Sequence, residues 1–228
     1  MESQKKSSGS TKLHLKVCGM GTAENILEVA SLDPDYLGFI FFEGSSRNFK
    51  GRIPPLSEKI KKTGVFVNAS HEFIKEKIRD YELHAIQLHG EESAVSCANL
   101  KSEFTGEQRV ELIKVFSIKD TFDFENLKPY EGIADLFLFD TKGENKGGNG
   151  IVFNWELLKE YPSSTPFFLS GGIGFGEIDA LKDFFQFLKD SGKDDLLYGI
   201  DVNSKFETAP GQKSKFSLEK FKKEIFLQ

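Results

Sequence analysis

Several reactive side chains of this chain share one setting: each stands at or just beyond the end of a short apolar run. Cys18 follows Leu13-His14-Leu15-Lys16-Val17, and Asp140 follows Leu136-Phe137-Leu138-Phe139. His89 follows Ala85-Ile86-Gln87-Leu88, Asn68 follows Val65-Phe66-Val67, and Asp201 follows Leu197-Tyr198-Gly199-Ile200. Arg47, one of four arginines, lies in a polar loop after the apolar run 36–42. A thiol acts as a base when positive charge or a helix start lowers its pKa from about 8.5; otherwise a free cysteine is a small core filler. A carboxyl group raised by desolvation donates a proton, whereas an Asp before a turn also serves as a cap or Asx-turn. Arginine offers a planar fork to a carboxylate, or is simply a solvated loop residue. His89 polarises or positions a ligand or has a structural role, and Asp201 orients a ligand hydroxyl or amine or holds the last loop. Cys97, among Ser93, Ala94, Ala98 and Leu100, reads as filler. Neither metal-ligand spacing nor a Ser-His-Asp order stands out.

Two further strand ends run into small residues. Phe167-Phe168-Leu169-Ser170 meets Gly171-Gly172-Ile173-Gly174, and Ile200-Asp201 meets Val202-Asn203-Ser204. Glycine lets backbone approach a ligand, and the free N–H groups at a helix start hold phosphate without a lysine. The plainer reading is a pair of tight turns.

The elements that carry these residues alternate. Apolar runs over 13–18, 36–42, 64–68, 84–90, 110–116, 135–139, 167–170 and 197–200 read as strands, continuous as in a parallel sheet covered on both faces. Between them lie helical patterns: one capped by Thr22, one led in by Pro54 and Pro55, one capped by Ser70, and one with an acidic start at Glu91-Glu92. Others surround Trp155, carry Ile178, Leu181, Phe185 and Leu188 on one face, and close the chain with Leu218, Phe221 and Ile225. Eight such units predict an α/β fold, a single-domain (β/α)8 TIM barrel over 13–228. Its phosphate site would follow strands 7 and 8, and residues 1–12 would form a polar leader. An open doubly wound sheet is the alternative, but no G-x-G-x-x-G follows the first strand.

Composition narrows the function. A net charge of −5 opposes a nucleic-acid surface, and no apolar run is long enough to span a bilayer. Two distant cysteines without a secretory signal predict a cytoplasmic protein.

The ordered set Lys16-Val17-Cys18-Gly19, Leu37-Gly38-Phe39, Ser46-Arg47, Gln87-Leu88-His89-Gly90, Phe139-Asp140, Gly147-Gly148-Asn149-Gly150, Ser170-Gly171-Gly172 and Gly199-Ile200-Asp201-Val202-Asn203-Ser204 through Pro210-Gly211 resembles phosphoribosylanthranilate isomerase. The resemblance runs from about Leu13 to the last helix. It implies an intramolecular aldose–ketose oxidoreductase of tryptophan biosynthesis, without cofactor, active as a monomer or homodimer on a small phosphosugar. Asp140 matches the family's acid and Cys18 its base. Arg47 matches the residue that binds the anthranilate carboxylate, His89 lies at the aromatic end, and Asp201 lies in the substrate site. Phosphate would rest on Gly171, Gly172, Asn203 and Ser204. The chain departs from the family at Met20-Gly21 before Thr22, and at Asn149, Ile151 and Asn154 after the sixth strand, where Lys142 or Lys146 would replace a missing basic residue. The alternatives, a histidine-pathway isomerase or a non-catalytic sensor of a phosphate ligand, are opposed by Cys18 at the base position and by the retention of Cys18 with Asp140.

Overall fold

The first strand pairs with both the second and the last, so the sheet has no edge. This is a computed structural model that describes residues 12–104, 106, 109–141 and 154–226. The strands are β1 (His14–Val17), β2 (Tyr36–Ile40), β3 (Lys61–Phe66), β4 (Ala85–Leu88), β5 (Glu111–Ile118), β6 (Leu136–Thr141), β7 (Phe167–Leu169) and β8 (Leu197–Val202). Every neighbouring pair is parallel and in chain order. The β1–β8 register, His14 opposite Gly199 to Val17 opposite Val202, excludes the open sheet.

Side chains alternate along each strand. Leu15, Val17, Leu37 and Phe39 join the outer core beneath the helices, whereas Tyr36, Ala85, Ile113, Leu138 and Phe168 fill the barrel interior. Both faces are therefore buried, which is why the runs read as continuously apolar.

The helices are α1 (Ala23–Ala30), α2 (His71–Tyr81), α3 (Ala94–Ser102), α4 (Ile178–Asp190) and α5 (Lys215–Phe226). Thr22, Ser70 and Ser93 cap the first three, each hydroxyl accepting the N–H three residues on. Two sequence expectations are corrected. The helix led in by Pro54 and Pro55 does not form; two prolines remove donors, and the residue before each avoids the α region. That arm is instead held by the Phe49 N–H, which donates to the Ile40 carbonyl at 2.7 Å, and by the Phe49 ring against Phe39, Phe41 and Tyr81. Glu91 and Glu92 precede α3 rather than open it, since Ser93 is the cap. The Glu92 carboxylate accepts the Asn68 and Gly90 N–H groups and pairs with Lys114 at 2.9 Å. The face of α4 that packs on the core holds Ile178, Leu181, Phe185 and Leu188, as expected, and adds the buried Phe184. Two other connections carry 3₁₀ turns, Phe124–Tyr130 and Trp155–Glu160, so eight strands are served by five α-helices among the described residues.

Two aspartates before strands act as clamps. The Asp35 N–H donates to the Leu15 carbonyl while its carboxylate accepts the Leu15 N–H, both at 2.9 Å. Asp135 repeats this on Leu112. Lys12, expected in the leader, pairs with Asp35. At the amino end of the barrel, the Tyr36 hydroxyl meets Glu111, Tyr198 and Lys61, each at 2.8 Å, and His14 stacks on Tyr198.

Candidate active site

The opposite, carboxyl end of the barrel gathers the reactive residues. Cys18 lies one step beyond β1, with its N–H donating to the Val202 carbonyl at 2.9 Å. Gly38 on β2 leaves room for the sulfur: a Cβ there would sit 2.8 Å from Cys18 Sγ. The thiol is less open than its strand-end position suggests, at 4 % exposed. Nor is it lowered. Burial pushes it up, Lys16 and Lys213 pull it down, and Asp201 pushes it up again, for a net rise.

Below the sulfur lies a group the sequence reading missed. Lys16, two residues earlier on the same inward face, is fully buried. Its Nζ donates to Asp201 Oδ1 at 2.8 Å. Burial works against the Lys16 ammonium, but Asp201 and Cys18 outweigh it and hold its pKa above the ordinary value. Asp201 Oδ2 accepts from the Ser170 hydroxyl at 3.1 Å, so Asp201 ties β1, β7 and β8 together.

Asp140 is the next-to-last residue of β6, its Oδ1 accepting the Thr141 N–H at 2.9 Å. His89 Nε2 lies 3.4 Å from Asp140 Oδ2, and Gln87 Nε2 lies 3.5 Å from His89 Nδ1. Gln87 was also missed. Its Oε1 is buried without a partner among the described residues. For both Lys16 and Gln87 the available signal was the strand period of two, counted back from Cys18 and His89.

Cys18, His89, Asp140, Gly171, Gly172, Asp201, Asn203 and Ser204 line one cavity. Gly171 and Gly172 have φ of 89° and 69°, a region that favours glycine. A Cβ on Gly171 would also strike the Thr141 nitrogen at 2.5 Å. Asn203 precedes the three-residue 3₁₀ turn Ser204–Phe206. Asn68, also weighed as a strand-end residue, instead accepts the Glu91 N–H on the rim.

Arg47 is not on the cavity wall. Its Nε donates to both Glu207 oxygens at 2.9 and 3.0 Å, and Nη2 to Oε2 at 2.7 Å. Lys213 joins at 2.6 Å and also donates to Asn203 Oδ1. Burial opposes the Glu207 carboxylate, but Arg47 and Lys213 hold it below the usual range. Of the departures after β6, Asn154 caps the Trp155–Glu160 turn; Lys142, Lys146, Asn149 and Ile151 lie outside the described residues.

The sequence profile described as N-(5'phosphoribosyl)anthranilate (PRA) isomerase matches residues 15–224. The N-(5'-phosphoribosyl)anthranilate isomerase of Phocaeicola vulgatus is 42% identical over 207 residues, 91% of this chain and 95% of that protein. Among solved structures, the phosphoribosyl anthranilate isomerase of Thermotoga maritima superimposes with TM-score 0.74 at 27% identity, covering 93% of this chain and 98% of that one. Another such isomerase, solved in complex with reduced 1-(o-carboxyphenylamino)-1-deoxyribulose 5-phosphate, gives TM-score 0.71 at 25% identity, covering 93% and 97%. On this profile, this identity and this barrel, the chain belongs to the N-(5'-phosphoribosyl)anthranilate isomerase family.

Proposed function

We propose that this protein converts N-(5-phosphoribosyl)anthranilate to 1-(2-carboxyphenylamino)-1-deoxyribulose 5-phosphate, an Amadori rearrangement in tryptophan biosynthesis. The observation that carries the reading is that Cys18 and Asp140 line the same cavity as Gly171, Gly172, Asn203 and Ser204. Backbone N–H groups of those four residues hold the phosphate, and this remote binding fixes the sugar for proton transfer. Asp140 gives a proton to the ribose ring oxygen; the C1′–O bond breaks and the nitrogen lone pair forms a Schiff base. Cys18, as thiolate, takes the proton from C2′, and the C–H electron pair makes the enolamine, which tautomerises to the ketone. Asp201 supports the substrate end of the site beside Cys18. Arg47 binds the anthranilate carboxylate by exchanging part of its bond to Glu207, and His89, near Asp140, lies at the aromatic end. The same reading puts the protein in the cytoplasm, which suits two free cysteines.

The test is the loss of anthranilate fluorescence on fresh substrate, with Cys18→Ala and Asp140→Asn beside the wild type. Each variant is expected to lose at least about a thousandfold in kcat, more than a single proton-transfer group usually supplies and in keeping with groups that act as a unit. Activity surviving in both would overturn the acid–base assignment, and no activity in wild type would overturn the function.

A further inference from the structure

We propose that Lys16 is a positioning residue for this reaction: from the barrel interior its ammonium, clamped by Asp201, provides the fixed positive charge against which the Cys18 thiolate forms. This rests on the reading of Cys18 as the base.

A lysine is almost never fully buried unless it is paired, and a buried ion pair is a poor source of stability, since apolar residues of similar volume often serve as well. Lys16 is nonetheless 0 % exposed, on the strand that presents Cys18 and two residues from it. Its Nζ lies 2.8 Å from Asp201 Oδ1, in cross-strand register with that residue, and Lys16 and Cys18 point to the same side of the strand. Asp201 is oriented in turn, its second oxygen accepting from the Ser170 hydroxyl at 3.1 Å. The charges facing Cys18 are Lys16 from β1, Asp201 from β8 and Lys213 from the short strand Gln212–Lys213, with Glu207 and Arg47 behind Lys213.

On ionisation the Cys18 S–H bond breaks, the electron pair stays on sulfur and the proton leaves through the mouth to water. Lys16 stays an ammonium and Asp201 a carboxylate, so thiol, ammonium and carboxylate go from net zero to minus one. Without Lys16 the sulfur would ionise beside a carboxylate in a buried site, with only Lys213 to offset both.

Lys16→Gln leaves Asp201 buried beside a neutral partner and risks misfolding, so the decisive comparison keeps Asp201 neutral throughout. In a Cys97→Ala background, the ultraviolet absorbance of the thiolate is followed against pH in Asp201→Asn and in Lys16→Met/Asp201→Asn, with Cys18→Ala as the blank. Loss of Lys16 is expected to move the thiolate curve upward by at least about one pH unit, a tenfold drop in thiolate at fixed pH. The rising limb of kcat/KM against pH should move the same way. Coincident thiolate curves would overturn the proposal. A thiolate curve that moves while the kcat/KM limb stays would overturn Cys18 as the base, and with it any role of Lys16 in turnover. A shift of both supports the proposal.

Discussion

Cys18 has very little space. A methyl group on Gly38 would lie 2.8 Å from its sulfur and 3.0 Å from its Cα, and the latter, being backbone, cannot rotate away. Gly38→Ala is therefore expected to lower kcat by about tenfold or more, since a displacement near 1 Å can cost about a hundredfold. The added methyl should also cost about 1–3 kcal/mol of stability by overpacking. Steady-state kinetics beside urea unfolding check both, and an unchanged kcat would mean that the sulfur does not act from where it stands. At this scale the sequence was informative about Cys18, Asp140 and the glycine pair, because strand ends and turns announce themselves in local pattern. For Lys16 and Gln87 it offered only the strand period of two. A lysine or glutamine inside an apolar run reads as the one solvent-facing position, and only closure of the sheet makes that face an interior. Arg47 was legible as a candidate, but its partner Glu207 stands 160 residues away and no local spacing reveals it.

The aspartate clamps belong to the scale of the elements. Burial opposes ionisation of Asp35, yet His14, Lys12 and the Leu15 N–H outweigh it and hold the carboxyl well below the usual range. Asp135 is lowered likewise, with the Leu112 N–H and Lys101 outweighing burial. Depressed folded values mean that the unfolded chain binds protons first. The contribution is complete above the unfolded pKa of about 3.9 and is lost as pH falls through the folded values. Asp35→Asn/Asp135→Asn should thus be less stable than wild type near neutrality, and the gap should narrow between about pH 5 and 2. Urea unfolding at several pH values measures it; a gap that is constant with pH would show that the clamps act by geometry alone. Element order and type were mostly legible, and Thr22 and Ser70 cap their helices as expected, whereas Ser93 and not Glu91-Glu92 opens α3. The arm after β2 was misread because Pro54-Pro55 fits the first turn of a helix as well as an extended segment, and long-range packing of Phe49 settles which one forms.

For the whole molecule, the two ends of the barrel divide the labour. The amino end holds a polar knot around the Tyr36 hydroxyl, which Glu111, Tyr198 and Lys61 share. Tyr36→Phe should cost about 1–3 kcal/mol, because it leaves half-buried partners short of a bond. It should leave kcat within about twofold, as conservation of function at the carboxyl end requires only an intact barrel. Urea unfolding and kinetics on one preparation test this, and a large fall in kcat at unchanged stability would show that the ends are coupled. Both thiols are buried, Cys18 at 4 % exposed at the barrel mouth and Cys97 at 0 % on α3 against the sheet, and burial raises both, Cys97 to about 11. Peroxide attacks thiolate rather than thiol. The two resting thiols therefore offer peroxide little thiolate, and Cys18 becomes open to oxidation chiefly when it carries charge in turnover.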